Sequence, residues 1–138
     1  SYTAGREAGA LNTGHALGAP HTWGPVPLNL FLGTGPHSLE DMIAATDRGV
    51  LVTRFHYTNM VHPVRTVLTG MTRDGTFLIE GGRAVGGVKN MRFTQGVVEA
   101  FGNVEALSRE RELINGWGRM CVPAMKIRDF NFSSATGF

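Results

Sequence analysis

The sequence predicts an α+β fold dominated by strands, with a mostly antiparallel, barrel-like sheet and two helical segments. Segments rich in β-branched and aromatic residues recur along the chain, which favours strands. Two of the intervening dipeptides, Asp-Gly and Gly-Gly, readily adopt the positive φ angles of tight hairpin turns. Only two segments carry apolar residues at helical spacing, and they do not alternate with strands as in a doubly wound parallel sheet.

The clearest part of the predicted sheet is a three-stranded antiparallel meander in the middle of the chain. Its strands are Thr66–Thr72, Thr76–Glu80 and Arg83–Phe93. Asp74-Gly75 and Gly81-Gly82 lie between them, where tight turns need positive φ. We therefore expect the aspartate to form a turn, and the meander to shape a surface that other residues use.

A short helix is predicted at residues 38–48. Ser38 can cap it, and acidic residues occupy its first turn, where the helix dipole favours negative charge. Arg48 lies in the predicted last turn, before a C-terminal stop at Gly49. A second helical segment is predicted at residues 95–112, where apolar residues recur near one face. Gly102-Asn103 can break this segment into two pieces, with Asn103 capping the second.

Further strands are expected on either side of these helices. Leu28–Gly33 and Val50–Thr58 are apolar or β-branched enough to form strands, and the pattern after Gly116 is again extended. Residues 1–27 are rich in glycine and proline, so most of them are predicted as loop and edge. The chain length suits a single domain, 1–138.

Composition and charge argue against several classes of protein. Hydrophobic residues make up 42% of the chain and charged residues 17%, which indicates a globular protein. Thirteen basic residues stand against eleven acidic ones without a basic run, which gives little attraction for nucleic acid. No apolar run approaches the roughly 20 residues that span a bilayer, so no membrane role is expected. A single cysteine, Cys121, excludes an intramolecular disulfide and favours a reducing cytoplasm.

The chain contains no complete catalytic or metal-binding motif. A phosphate-binding loop, a dinucleotide fingerprint, a nucleophile elbow and an H-E-x-x-H pattern are all absent from the sequence. His56 and His62 would share one face of a straight strand, either as a ligand or acid–base pair or as polar contacts at a strand end. Spacing on a straight strand would part them by roughly 20 Å, too far to share a zinc ion, unless Pro63 and the TNM segment fold them closer.

The candidate substrate-binding residues are polar or aromatic and lie in predicted loops or strands: His15, Arg54, His56, Tyr57 and Arg73. The first of them follows a turn-like Thr-Gly and can meet a substrate or a metal, or can simply be solvated. Trp23 and Trp117 each lie beside a glycine and fit either a binding rim or ordinary packing. Cys121 has apolar neighbours, for which a buried and inert thiol is the default expectation.

Four segments occur in a specific order between Thr13 and Phe132: TGHA, PLNLFLGTGPHSLEDMIAATDRGVLVTRFHYTN, LTGMTRDGTFLIEGGRAVGGVKNMRFTQ and VPAMKIRDFNF. This ordered set resembles the C-terminal part of the TldD/PmbA family. Members of that family are zinc-dependent, peptidase-like proteins that have also been called modulators of DNA gyrase. The resemblance covers nearly the whole chain.

The resemblance implies the C-terminal scaffold or substrate-binding portion of a zinc metallopeptidase that acts on peptides or unfolded polypeptides. In TldD-type members a helix with H-E-x-x-x-H binds zinc through two histidines, its glutamate activates water, and a cysteine near the C-terminus is a further ligand. Zinc there would lower the pKa of bound water. That helix precedes the matched region and is not in this sequence. By this resemblance Cys121 is the one residue of the chain that could correspond to a ligand, although it lies closer to the final strand than the family's cysteine.

The resemblance also leaves alternatives. PmbA-type members lack the motif and pair with a TldD-type partner, so the chain can instead be a non-catalytic binding or assembly module. A homo- or hetero-oligomer with a chain of this family is expected either way. The basic pI and the gyrase label suggest a DNA-associated protein as a third alternative. We expect this chain by itself neither to hydrolyse peptides nor to hold zinc tightly, because a catalytic zinc needs three protein ligands.

Overall fold

A computed structural model describes residues 2–18, 24–116 and 118–135 of the chain. Strands dominate these residues, with three short helices beside them, which confirms the predicted α+β class. The strands form two sheets whose pairings are mostly antiparallel, and in the described residues neither sheet closes into a barrel. None of the described helices is long and apolar enough to cross a membrane.

Two compact units divide the chain. The first contains Ser1–Gly33 and Arg111–Pro123, and the second contains Thr34–Glu110 and Ala124–Phe138. The single domain expected from the chain length stays a prediction.

The first unit contains a helix and a parallel strand pair. Helix α1 spans Tyr2–Ala8, within the segment predicted to be mostly loop. Strand β1, Asn29–Phe31, confirms the strand predicted there and pairs in parallel with Arg119–Cys121 at the start of β7. Strand β7 spans Arg119–Ile127 and is the middle strand of the order β1-β7-β6.

The second unit is built around a five-stranded antiparallel sheet. Its strands are β2 (Arg48–His62), β3 (Val67–Glu80), β4 (Arg83–Gly87), β5 (Met91–Gly96) and β8 (Phe132–Ala135). The order is β2-β3-β5-β8, and β4 also pairs with β3. The strand predicted at residues 50–58 is therefore present and extends at both ends.

The predicted hairpin turn at Asp74-Gly75 is wrong, because these residues form a β-bulge inside β3. Thr53 of β2 lies opposite both of them, since the register passes from Val52↔Thr76 to Arg54↔Arg73. Asp74 has φ 64° and Gly75 has φ 154°. The Thr53 hydroxyl donates to the carbonyl of Gly75 at 3.1 Å, so the extra residue is held against the partner strand. The strand therefore continues where a turn was expected.

The predicted turn at Gly81-Gly82 is confirmed. Both glycines have positive φ, 54° and 76°, and Glu80 pairs directly with Arg83 across them. Such angles at both central residues are those of a two-residue type I′ hairpin loop. A Cβ on Gly82 would lie 2.6 Å from the carbonyl oxygen of Ala44, so this position needs glycine for both space and conformation.

The third strand of the predicted meander is divided into β4 and β5. Where β5 begins, the Thr72 hydroxyl accepts a hydrogen bond from the backbone N–H of Met91 at 3.0 Å. The Thr76 hydroxyl donates to the Thr72 hydroxyl at 2.7 Å. Both threonines are buried, and their side chains replace ladder hydrogen bonds at the junction between the two strands.

The first predicted helix is present but shorter than expected. Helix α2 spans Leu39–Ala44 and begins with a capping box, in which Ser38 and Asp41 each accept a hydrogen bond from the other's backbone N–H. The hydrogen bond from the backbone of Ser38 lowers the pKa of Asp41. The predicted end at residues 48 and 49 is wrong, because both begin β2. The carbonyls of Thr46 and Asp47 instead accept from the two turn glycines at 3.0 and 2.7 Å.

The second predicted helix, 95–112, is largely wrong. Helix α3 spans only Val97–Gly102, and Val104–Asn115 forms strand β6. The buried Ser108 shows why the strand conformation wins over helical spacing: its hydroxyl accepts from the N–H of Ala124 at 2.8 Å. The neighbouring Arg109 N–H donates to the carbonyl of His37 at 2.7 Å. These long-range hydrogen bonds are invisible in the local pattern.

The Gly81-Gly82 turn provides a test of the fold. Gly82→Ala is expected to lower the free energy of unfolding by about 1–3 kcal/mol, because alanine is strained at this φ and its Cβ meets a carbonyl oxygen. Gly86→Ala is the matched control, since its φ is not positive and a Cβ there meets nothing within 4 Å. Urea denaturation measures both; equal stability of the two variants would contradict the turn geometry.

Candidate functional site

A groove of about 820 Å³ lies in the second unit. Its apolar lining comes from α2, from the first part of β2, and from the end of β7 with the turn that follows. Representative lining residues from these three elements are Met42, Ile43, Val50, Val52, Ile127 and Phe130. The groove is large enough for a short extended segment of polypeptide rather than for a single ion.

Strand β2 has an edge beside this groove that no strand of the described residues pairs with. In the described part of the chain β2 pairs with β3 alone, because it ends the strand order of its sheet. Residues 48–52 of β2 also line the groove. An unpaired edge presents backbone N–H and C=O groups that accept a further strand. Apolar walls and strand-pairing groups therefore occur together at one place.

Charged side chains at the groove are balanced. Three cations and three anions line it: Arg48, Lys126, Arg128, Asp47, Glu105 and Asp129. Glu105 lies 3.7 Å from the Lys126 ammonium and 3.8 Å from the Arg128 guanidinium. The Lys126 ammonium also donates to the carbonyl of Ala45 at 2.9 Å. This arrangement suits a neutral backbone better than a phosphate or another highly charged ligand.

Four phenylalanines form a cluster that borders the groove. Phe55 and Phe130 are stacked with ring centroids 5.5 Å apart, and Phe93 lies 4.7 Å from the first and 5.5 Å from the second. Phe132 lies 5.1 Å from Phe130. Gly70 permits this packing, because a Cβ there would lie 2.7 Å from the ring of Phe93. The sequence interpretation missed the cluster, although the alternating aromatic pair in DFNF was a usable signal.

Three of the predicted binding residues, Arg54, His56 and Arg73, lie on the face of the sheet that is opposite to the phenylalanine cluster. Arg54 lies directly opposite Arg73, and His56 lies opposite Met71, which in turn lies opposite Arg92. Directly opposed and alternate residues share a face of a sheet, so these side chains lie on the face away from the phenylalanine cluster. The surface formed by these residues and Asp74 is called the arginine face below: Arg54, His56, Met71, Arg73, Asp74 and Arg92.

The bulge aspartate holds two arginines of this face. An Asp74 carboxylate oxygen lies 2.7 Å from the Arg54 guanidinium, and the other lies 3.7 Å from that of Arg73. All three side chains are more than half exposed to solvent. Exposed ion pairs of this kind contribute little to stability, about 0–1 kcal/mol, so a binding role would not conflict with folding.

Tyr57 has an unusual backbone conformation for a bulky residue, with φ 50°. A second bulge places it there, since the register passes from His56↔Met71 to Asn59↔Thr69. The Asn59 side-chain amide donates to the carbonyl of Tyr57 at 2.8 Å, and the Tyr57 ring meets the His56 ring edge-on at 4.5 Å. The tyrosine side chain is 70% exposed. The bulge and its hydrogen bond thus fix Tyr57 in a strained backbone conformation with its side chain exposed.

The remaining predicted residues lie apart from that face. His62 is separated from His56 by two register shifts, and its Nδ1 accepts from the backbone N–H of Arg65 at 3.2 Å. His15 belongs to the first unit, is exposed, and its Nδ1 lies 2.7 Å from the Thr13 hydroxyl. Trp23 and Trp117 fall outside the described residues.

Cys121 also belongs to the first unit, in β7. It is half-buried and lies opposite Phe31, and its carbonyl accepts from the N–H of Leu32 at 3.1 Å. Among the described residues no three His, Cys, Asp or Glu side chains lie close enough together to hold a metal ion. The described residues alone therefore do not supply a complete set of zinc donors.

The fold and motif order agree with a known family. Residues 1–134 match the family described as the PmbA/TldA metallopeptidase C-terminal domain. The chain belongs to this family, as its motif order indicated. A comparison with curated proteins found no match.

Solved structures of similar fold include three larger proteins. TldE from Thermococcus kodakarensis has a TM-score of 0.73 and 23% identity, over 96% of this chain and 29% of that one. A proposed modulator of a DNA gyrase from Thermotoga maritima has a TM-score of 0.72 and 18% identity, over 92% of this chain and 28% of that one. A proposed modulator of DNA gyrase from Bacteroides thetaiotaomicron has a TM-score of 0.66 and 21% identity, over 94% of this chain and 26% of that one. At these identities the likeness concerns the fold, and the chain spans less than a third of each protein.

The strained tyrosine generates a stability test. Tyr57→Gly is expected to raise the free energy of unfolding by about 1 kcal/mol, because relief of roughly 1–3 kcal/mol of strain exceeds the greater chain entropy of glycine. Tyr57→Phe is the control and is expected to leave stability unchanged. Urea denaturation measures both variants. A clear loss of stability in the glycine variant would show that the contacts of the ring outweigh the strain.

Proposed function

We propose that this chain is the C-terminal, peptide-binding scaffold of a TldD/PmbA-type zinc metallopeptidase that acts in proteolysis or peptide maturation. The observation that carries the proposal is the edge of β2 at residues 48–52, which lines the apolar groove and has no partner strand in the described part of the chain. An extended peptide placed there gains main-chain hydrogen bonds from the edge and apolar packing from the walls. Such recognition depends little on sequence, which suits unfolded polypeptide as the substrate.

The chemistry would be supplied by residues beyond those described. In this proposal zinc is bound by a histidine pair from elsewhere in the complete protein or from a partner chain, with Cys121 as a candidate further ligand. Zinc would provide Lewis-acid activation of water. The chain would act in a homo- or hetero-oligomer with another chain of the family. The single cysteine suits a reducing compartment, so we place the protein in the cytoplasm.

The principal alternative is a non-catalytic, PmbA-type binding or assembly module. It shares the groove and differs in whether the complete protein contains H-E-x-x-x-H. The described residues hold no group of three possible metal donors, and this observation does not distinguish the module from the scaffold of a peptidase. The complete coding sequence distinguishes the two, because the motif is required for the peptidase and dispensable for the module.

Binding to DNA is a second candidate, favoured only by the arginine face. Arg54 and Arg73 share one aspartate, which leaves that face with a small positive charge together with Arg92. A phosphate-binding surface gives an affinity that falls steeply with salt. Tight, salt-sensitive binding of duplex DNA that is lost in Arg92→Ala would favour this candidate over the peptide groove.

Peptide binding at the β2 edge is the direct test of the proposed function. An uncharged, extended octapeptide is expected to bind the chain, with N-methylation weakening binding at alternate residues only. The reason is that alternate backbone N–H groups of an added strand point toward the edge. Loss of one such hydrogen bond is worth about 1 kcal/mol, or about fivefold in affinity. Isothermal titration calorimetry measures the series.

The same series locates the binding surface. Arg54→Ala is the control, because this residue lies on the arginine face, and it is expected to leave peptide affinity unchanged. A loss of affinity in this variant would move the binding site to the predicted residues on that face. Equal weakening by N-methylation at every position, or no binding at all, would contradict strand addition.

Zinc content and hydrolysis test the division of labour. The chain alone, dialysed free of loosely bound metal, is expected to contain far less than one zinc per molecule and to leave peptides intact, since a catalytic zinc needs three protein ligands. Metal analysis and a peptidase assay on one sample measure both. One tightly retained zinc per chain, lost in Cys121→Ala or His56→Ala, would show that this chain itself holds the metal.

A further inference from the structure

A smaller cavity of about 160 Å³ lies within the second unit. Its floor contains the buried residues Phe93, Gln95 and Ala100. Two aromatic side chains that also line it are partly open to solvent, Phe55 at 43% exposure and Phe101 at 56%. A buried floor with exposed aromatic residues at its mouth is the form of a pocket that receives a side chain.

The pocket adjoins the groove beside β2. The two share lining residues from β2, from the end of β7 and from the turn that follows: Phe55, Met125, Ile127 and Phe130. A peptide extended along the groove therefore passes the mouth of the pocket. One of its side chains would project into the pocket, since successive side chains of a strand point to opposite sides.

The chemistry of the pocket selects an apolar occupant. Gln95 is the polar residue on its floor, and its side-chain groups are already engaged within the protein. Its amide nitrogen lies 3.2 Å from the carbonyl of Gly96 and 3.3 Å from the Glu99 carboxylate, and its amide oxygen accepts from the N–H of Asn131 at 2.8 Å. A polar side chain entering the pocket would lose its water without gaining these partners.

The size of the pocket matches one large side chain. An apolar protein cavity of about 150 Å³ stays free of water and holds a molecule the size of benzene. The pocket here is of that volume and lined by aromatic and aliphatic groups. Phenylalanine and leucine have side chains of suitable size, whereas alanine and serine would leave most of the space empty.

We propose that this pocket is the anchor site for one phenylalanine- or leucine-sized side chain of the peptide bound along β2. The inference rests on the proposed peptide-binding function and adds a preference to it. Main-chain pairing would tolerate many sequences, and the anchor would set the register by requiring a large apolar residue at one position.

The preference is tested with two octapeptides that differ only in phenylalanine or serine at one central position. The unmodified chain is expected to bind the phenylalanine peptide at least about tenfold more tightly, from burial of one aromatic side chain. Thr58→Phe, at an exposed residue that lines the pocket, is expected to fill the mouth and abolish this difference. Val98→Phe is the matched control, since it adds the same ring at an exposed position outside the pocket lining.

The outcomes separate the anchor from the groove. Equal affinity of the two peptides, with alternate sensitivity to N-methylation retained, would overturn the anchor and leave the groove. Failure of both peptides to bind would overturn both. A concentration-dependent dimer that disappears in Thr58→Phe would overturn the anchor as well, because the pocket would then be filled by a second copy of this chain.

A measurement without substitutions covers the case in which the Thr58 variant does not fold. N-acetylphenylalanine amide is expected to shift the backbone amide signals of Gln95 and Ala100 in nuclear magnetic resonance spectra of the labelled chain. N-acetylserine amide at the same concentration is expected to leave them in place. Equal responses to the two probes, or no response to either, would overturn the pocket as an apolar anchor.

Discussion

Strand β3 organises the second unit, because three other strands pair with it. Its C-terminal half lies between β2 and β4, and its N-terminal half lies between β2 and β5. The buried hydroxyl of Thr72 bridges the point where the third strand passes from one half to the other. Since β3 pairs with one edge of β2, the other edge has no partner strand among the described residues. The groove and its strand edge thus follow from the position of β3.

Irregularities in the β2–β3 pair decide which side chains reach which face. Each bulge adds one residue to one strand, and a shift of one residue exchanges the faces of the side chains that follow. Between the two bulges, Arg54 and His56 point one way and Phe55 the other. The Phe55 ring joins the phenylalanine cluster beside the groove. On the other face, Arg54 contacts Asp74 in the bulge of β3, and His56 contacts Tyr57. A straight ladder would not present Tyr57 at a positive φ, so the bulges are part of the surface rather than defects in it.

The sequence predicted those parts of the fold that depend on local chemistry. Gly81-Gly82 was correctly interpreted because the strands on both sides are adjacent in sequence and only glycine suits the angles. Asp74-Gly75 carries the same local signal, but positive φ serves a bulge as well as a turn, and only the pairing with Thr53 distinguishes them. The segment Val104–Asn115 was predicted as helix because some of its apolar residues recur at helical spacing. Its hydrogen bonds to residues distant in sequence make it a strand instead. The phenylalanine cluster was missed for the same reason, since its four members come from three separate segments.

The proposed function separates a binding surface on this chain from a reactive centre elsewhere. Zinc chemistry needs several donors aimed at one point from a rigid support. Substrate binding has a different requirement, an open edge with an apolar wall, which a long edge strand supplies directly. If one side chain is anchored in the phenylalanine-lined pocket, the peptide acquires a register along β2 without the strand having to read its sequence. In the proposed function, the bound main chain would thereby supply proximity and orientation to a scissile bond in a centre built elsewhere.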